Sequence, residues 1–174
     1  MTDTEQQGSG LEAYRLGRTY GMLPIAMVPD ACREVPAGPI TFVVEGRRLT
    51  DEAIDQSARD QGTTDVVERS SSGVDDGGMT VHVCGAADGL EHLRFDCFEI
   101  EPHYHYIDND GPANTVVRLD THAEGDPTAW ALGRLRGRLP EMLEHAGVPD
   151  LAAAVRSAAD EVAAGVDEVE RLVS

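Results

Sequence analysis

Two alternating stretches near the middle of the chain constrain it more than any other feature. Residues 93–107 and 114–122 both alternate polar and apolar side chains, and the hexapeptide DNDGPA, residues 108–113, separates them. A period of two marks a strand whose faces meet different surroundings. Asp and Asn tolerate the left-handed region and Gly supplies positive φ, so the hexapeptide reads as the loop of a β-hairpin. On the first strand, one face carries Glu99, Glu101, His103 and His105, and the other carries Phe98, Ile100, Tyr104 and Tyr106. On the second, Arg118, Asp120 and His122 oppose Val117, Leu119 and Thr121. Pairing Ile107 with Asn114 sets Glu101 beside Asp120 and His103 beside Arg118, with both polar sets on one face. A one-residue slip would set each polar set against an apolar one, so the pattern selects its own register. Pro102 has no N–H to give a ladder, which predicts an edge position or a bulge there.

The remaining elements follow from local signals. ITFVVE, residues 40–45, is a strand, and MTVHVC, residues 79–84, is another, with Val81 and Val83 opposite His82 and Cys84. Thr50 before Asp51 and Glu52 starts a short helix that runs to about Arg59. SSSGVDDGG, residues 70–78, reads as a loop. Leu11, Tyr14, Leu16 and Tyr20 can line a short helix, with irregular or extended chain after Gly21. The C-terminal third is helical. Asp126 is an N-cap, Pro127 sits in the first turn, Pro140 is a candidate kink and Gly147 ends the first helix. Asp150 then caps a second helix over residues 151–173, whose apolar positions recur every three to four residues. Strands first and helices after predict an α+β fold: an antiparallel β-sheet with a C-terminal helical hairpin packed on one face. Residues 1–10 read as a disordered tail and 11–174 as one domain, with the sheet at about 40–122 and the helices at about 127–173.

Charge narrows the partners. The chain carries 32 acidic and 14 basic residues, a net charge of −18, and every basic residue is Arg. Such a field repels phosphate backbones and anionic lipid, so neither nucleic acid nor membrane is an expected partner. The N-terminus shows no basic-then-apolar leader and no apolar run approaches the roughly 20 residues of a span, so the cytoplasm is the expected location. Cys32, Cys84 and Cys97 form no C-x-x-C spacing and read as small hydrophobes.

The polar hairpin face is where chemistry is to be sought. His103 and His105 stand at i and i+2 on a strand, so both imidazoles point to the same side. Two imidazoles with a carboxylate are a ligand set for a divalent transition metal such as Zn, Fe or Mn. Glu101 and Asp120 are the expected third ligands, with Glu99 and His122 as further candidates. Whether the chain is an enzyme stays open. Two other readings accompany this one. The last helix carries an apolar seam that can pair with its mate in a homodimer, and Tyr104, Tyr106 and Trp130 can line a metal-independent small-ligand pocket.

The H-x-H resembles that of the cupins over this short segment, although Cys97 and Asn109–Asp110 stand where cupins carry Gly and Glu. The run F-x-C-F-E-x-E-P-H-Y-H-Y, followed by D-P-T-A-W-A-L-G-R-L, looks like that of small uncharacterised actinobacterial proteins. That resemblance implies a recurring domain and no particular activity.

Overall fold

The structure is a computed structural model that describes residues 16–63 and 72–174. Seven strands form one antiparallel sheet: β1 (Arg18–Tyr20), β2 (Cys32–Ala37), β3 (Ile40–Thr50), β4 (Asp75–Gly85), β5 (Glu91–Phe98), β6 (His103–Asp108) and β7 (Ala113–Arg118). Their order is β1-β7-β6-β5-β4-β3-β2, so β2 to β7 run as a meander and β1 joins the far edge beside β7. The predicted hairpin register holds: Ile107 pairs with Asn114 and His103 with Arg118. The fold is α+β, with the helices of the C-terminal third on one sheet face.

Those helices are α3 (Pro127–Gly137), α4 (Leu139–His145), α5 (Pro149–Ser157) and α6 (Ala159–Val173), so each half of the expected hairpin is two helices rather than one. The first half breaks at Arg138, just ahead of Pro140. The second starts at Pro149, with Asp150 in its first turn rather than at its cap, and breaks at Ala158. Asp126 caps α3 by accepting from the Ala129 N–H, and Gly147, at φ +87°, turns the chain after α4. Leu132, Leu135, Leu139, Leu143, Val155, Val162, Val166 and Val169 pack on Val35, Phe42, Val44, Val81, Val83, Leu93 and Phe95 to form the core. Gly165 lets α6 lie directly on the sheet, since a Cβ there would stand 2.5 Å from that of Ala37. The apolar seam of α6 thus covers β2 and β3 of its own chain. Tyr104 and Tyr106 face the helices too, Tyr104 packing at a tilt on Trp130 and Tyr106 meeting His145 edge to face.

Three segments depart from the expectation. Arg18–Tyr20 is a strand rather than part of a helix, while Leu11 and Tyr14 lie outside the described residues, as does the 1–10 tail. Asp75–Gly78 extends β4, because the long β3 offers it a full partner; Ser72–Val74 are irregular as a loop should be, and residues 70 and 71 lie outside the described residues. Residues 93–107 are two strands, not one. The chain reverses at residues 99–102, so that β5 and β6 pair with Asp96 opposite His103 and Arg94 opposite His105. No helix among the described residues is long and apolar enough to cross a membrane.

The second sheet face is polar and largely buried. Residues 21–28 cross it as an irregular strap, and α1 (Asp51–Gln61), capped by the Thr50 side chain, flanks it. Gln61 holds the strap at both ends of its amide, accepting from the Leu23 N–H at 2.7 Å and donating to the Leu23 carbonyl at 2.9 Å. Beneath the strap lies a cavity of about 270 Å³.

Candidate metal centre

The reversal at residues 99–102 builds the centre. Its backbone is held by Asp76 of β4, whose carboxylate accepts from the Gly77, Ile100 and Glu101 N–H groups, the last at 2.7 Å. The turn sends β6 back along β5 and places His103 and His105 over the side chain of Asp96. Asp96 Oδ2 is 2.9 Å from His105 Nε2 and 3.3 Å from His103 Nε2. Asp96 Oδ1 accepts from the Thr80 hydroxyl at 2.6 Å. Among the described residues, Asp96, His103 and His105 are the group whose donor atoms all lie within 4.8 Å of one another, a set that can hold a metal ion.

The outer nitrogens of both rings are also engaged. His103 Nδ1 lies 2.7 Å from the Glu101 carbonyl oxygen. His105 Nδ1 lies 2.9 Å from Asn114 Oδ1, whose amide NH2 donates to the Met22 carbonyl at 2.6 Å. The Glu101 carbonyl can only accept, so His103 must carry its hydrogen on Nδ1. The Asn114 amide is oriented by Met22 in the same way, which makes His105 Nδ1 a donor as well. Both Nε2 atoms then turn inward to Asp96. The edge of Phe98 packs against the His103 ring at 5.5 Å and fixes its plane.

Burial opposes charge here, and the three groups respond differently. Burial pushes the Asp96 carboxyl up, but the two imidazoles outweigh it and hold the group well below the usual carboxylate range. Burial also disfavours a charged His103, yet Asp96 keeps its pKa raised. His105 is lowered, chiefly by burial and with the neighbouring His103 and Arg94 adding to it. A neutral His105 has one hydrogen for two oxygens, Asn114 Oδ1 and Asp96 Oδ2.

The other sequence candidates lie elsewhere. The Glu101 carboxylate is exposed and pairs with Arg118 at 2.6 Å, while its carbonyl serves His103. Asp120 lies past the end of β7 and caps the short α2 (Thr121–Glu124), accepting from the His122 and Ala123 N–H groups. His122 and Glu99 are exposed, outside any strand. Tyr104, Tyr106 and Trp130 are on the opposite sheet face from the cavity. Cys84 and Cys97 have their thiols pushed up to about 12 by burial, so they stay protonated as small hydrophobes do.

Asp96 is the residue that sequence reasoning missed. Read as one strand, residues 93–107 put even and odd positions on opposite faces, so Asp96 falls opposite the histidines. Pro102 is the signal that could have found it, because a residue without an N–H marks the place where the strand breaks.

A second polar cluster lies on the same face. His82, fully buried, stands between Glu91 Oε1 at 2.6 Å from Nδ1 and Glu45 Oε2 at 3.0 Å from Nε2. Glu91 in turn accepts from Arg94 Nε at 2.8 Å and Nη2 at 2.7 Å. No curated protein and no solved structure matches the chain. One family model does, over residues 34–173, which include Asp96, His103, His105 and every residue of the second cluster. The chain therefore belongs to the family described as a domain of unknown function, DUF7700.

Proposed function

We propose that this chain binds one divalent transition metal ion through Asp96, His103 and His105. The observation that carries the reading is the way the two imidazoles are pinned. Each gives its Nδ1 hydrogen to a carbonyl oxygen, and both Nε2 atoms converge on one carboxylate oxygen. Metal-bound histidines hold their second nitrogen in this manner, and the outer partner fixes both tautomer and ring plane. Without a cation, the four ring nitrogens face three oxygens, Asp96 Oδ2 being shared, and need four hydrogens. That means two buried imidazoliums on one carboxylate, an arrangement disfavoured by desolvation. A dication supplies the same charge through coordinate bonds.

The spacing supports this. An ion bonded at about 2.0–2.2 Å to nitrogen and oxygen sets adjacent ligand atoms about 3.0–3.5 Å apart. The Nε2–Oδ2 distances are 2.9 and 3.3 Å. Two imidazoles and one carboxylate suit Zn, Fe or Mn, and three protein ligands leave positions open. The group borders the cavity beneath the strap, so those positions face a space where a small molecule can reach the ion. That is the arrangement of a catalytic site rather than a closed structural one, and it supports a metalloenzyme.

Elemental analysis and zinc titration of the untagged protein test the reading. The wild-type chain is expected to bind one equivalent. Asp96→Ala and the double variant His103→Ala/His105→Ala are expected to bind none, while Glu101→Ala and Asp120→Ala keep theirs. Retention of stoichiometric metal by the double histidine variant would falsify the assignment.

A further inference from the structure

The polar sheet face does not stay polar along its strands. On that face β3 runs Glu45, Arg47, Leu49 and β5 runs Arg94, Asp96, Phe98, and the register through β4 sets these two strands parallel. The layer therefore turns apolar toward the C-terminal ends of β3 and β5. The cavity lies over this boundary, with Asp96, His103 and His105 on its polar side. Leu49 and Phe98 wall the other side together with Ile54 of α1, and Met22–Ile25, four consecutive apolar residues of the strap, cover it. Leu23, Ile25, Leu49, Val74 and Val116, all bordering the cavity, are only half-buried, so each keeps apolar surface that its own chain does not cover.

The charged side chains of the wall are already engaged. Arg94 is held by Glu91, Arg118 pairs with Glu101, and Arg18 lies over the Tyr20 ring. Arg47 donates to the Ile25 and Ala26 carbonyls at 3.1 and 2.5 Å, which spends it on holding the strap. Asp96 is taken up by the two histidines and Thr80. A ligand in this cavity thus meets one strong point of attraction, the ion at the histidine pair, and an apolar wall beyond it. Burying a charge without a partner is costly, since its hydration is lost and nothing replaces it.

We propose that the cavity takes a small monofunctional molecule, with one oxygen or nitrogen donor for the metal ion and an otherwise apolar, uncharged body. The donor fills an open position on the ion, and the body lies along Ile25, Leu49 and Phe98. A cavity of about 270 Å³ is at the small end of ligand sites, which fits a body of a few carbons rather than a long acyl chain. Molecules with a second charge far from the donor are rejected, because the wall strips that charge of water and offers it no partner. The inference rests on the metal reading, since the ion is what receives the donor.

Calorimetric titration of the zinc-loaded full chain with a series of hydroxamic acids tests this, because the members share one zinc-binding head and differ only in the body. Acetohydroxamic acid has a methyl body, hexanohydroxamic acid a pentyl body, and adipic acid monohydroxamate ends the longer chain in a carboxylate. Each buried methylene is worth about a four-fold gain in affinity, so the pentyl body is expected to bind about ten-fold or more tighter than the methyl one. The carboxylate end is expected to lose about ten-fold or more of that gain. Metal-free protein is expected to bind none of the series. Ile25→Asn, which keeps the backbone carbonyl that Arg47 uses, is expected to weaken hexanohydroxamic acid about five-fold or more, with acetohydroxamic acid and zinc stoichiometry unchanged. Equal affinity for the methyl and pentyl bodies, full affinity for the carboxylate-ended one, binding without zinc, or an Ile25→Asn variant with full affinity overturns the proposal. The series on wild type decides the matter even if Ile25→Asn does not fold. One bound zinc with no dependence on the body fells this inference alone, whereas no bound zinc fells the metal reading and this inference with it.

Discussion

The buried polar face contains two histidine clusters, and they solve the same problem in opposite ways. His82 has one imidazole between two carboxylates, with Arg94 completing the network on Glu91. His103 and His105 are two imidazoles on one carboxylate. In the first cluster both ring nitrogens face anions, so the imidazolium is matched and nothing further is needed. In the second, two rings share Asp96 and their outer nitrogens face only carbonyl oxygens. One cluster is a closed ion-pair network, and the other brings together three donors that can hold a cation. The difference teaches which buried histidines to regard as ligands: the count of carboxylates per imidazole decides it better than burial does, since His82 and His105 are both buried.

The sharpest way to break this comparison is to truncate one ring in each cluster of the metal-free protein. His82→Ala leaves Glu45 facing Glu91 without the cation between them, and removing one partner of a buried ionic network typically costs about 3–5 kcal/mol. His105→Ala opens a similar cavity but removes a ring that burial already keeps from charging. Urea denaturation near neutral pH is expected to show His82→Ala at least about 2 kcal/mol less stable than His105→Ala, because the cavity term largely cancels. Equal losses would mean that the clusters do not differ in kind.

Zinc should reverse the order of importance. Ligand at one hundred times its dissociation constant stabilises the native state by about 2.7 kcal/mol, roughly a 5–10 °C rise in melting temperature for a chain of this size. That rise is expected in wild type and in any folded His82 variant, and is expected to vanish in His103→Ala/His105→Ala. A zinc-dependent rise that survives in the double variant would place the ion elsewhere.

Much of this was legible in the sequence, and the parts that were not have a common cause. The hairpin, its register and its separation of a polar from an apolar face follow from residues 103–118, because local alternation and turn chemistry suffice, whereas Phe98, expected on the apolar face, packs on His103 instead. The caps at Thr50 and Asp126 are read from single residues and their neighbours. His103 and His105 were singled out by their spacing alone. Asp96 was not, because its place depends on a reversal held by Asp76, twenty residues earlier in the chain, through bonds to the Ile100 and Glu101 N–H groups. The cover over the polar face was equally illegible. It is made by residues 21–28, which have no periodicity, and is fastened by Asn114, Gln61 and Arg47. A polar strand face looks the same in sequence whether water or another part of the chain lies over it, so only tertiary contacts separate a wet face from a site.

Asn114 sharpens the comparison at the outer shell. It orients His105 and also holds the strap at Met22. Loss of an outer partner of a metal-bound histidine typically weakens metal affinity 10–100-fold, or about 1.4–2.7 kcal/mol. Asn114→Leu is expected to fall in that range by competitive zinc titration. Gln61→Ala, which loosens the strap at Leu23 without touching a histidine, is expected to change the affinity less than three-fold. If the two variants weaken zinc equally, the strap rather than the ring orientation is what matters.

The smallest effect concerns pH in the closed cluster. Burial raises the Glu91 carboxyl, but Arg94 and His82 together bring it down to about 2 from an ordinary 4.5. A carboxylate lowered on folding contributes stability that is complete above its unfolded value and is lost as pH falls through the folded one. Burial likewise opposes charge on His82, while Glu45 and Glu91 keep its pKa raised. Its contribution is complete below the unfolded value of about 6.5 and is lost as pH rises through the folded one. The His82–Glu91 pair is therefore strongest between about pH 4.5 and 6.5. Comparing wild type with Glu91→Gln isolates the acid limb. The stability advantage of wild type is expected to shrink by about 1 kcal/mol between about pH 5.5 and 3.5, measured by urea denaturation of metal-free protein. An advantage that stays constant over that range would show that Glu91 is not held as an anion by Arg94 and His82, and the first cluster could then no longer be regarded as the closed one.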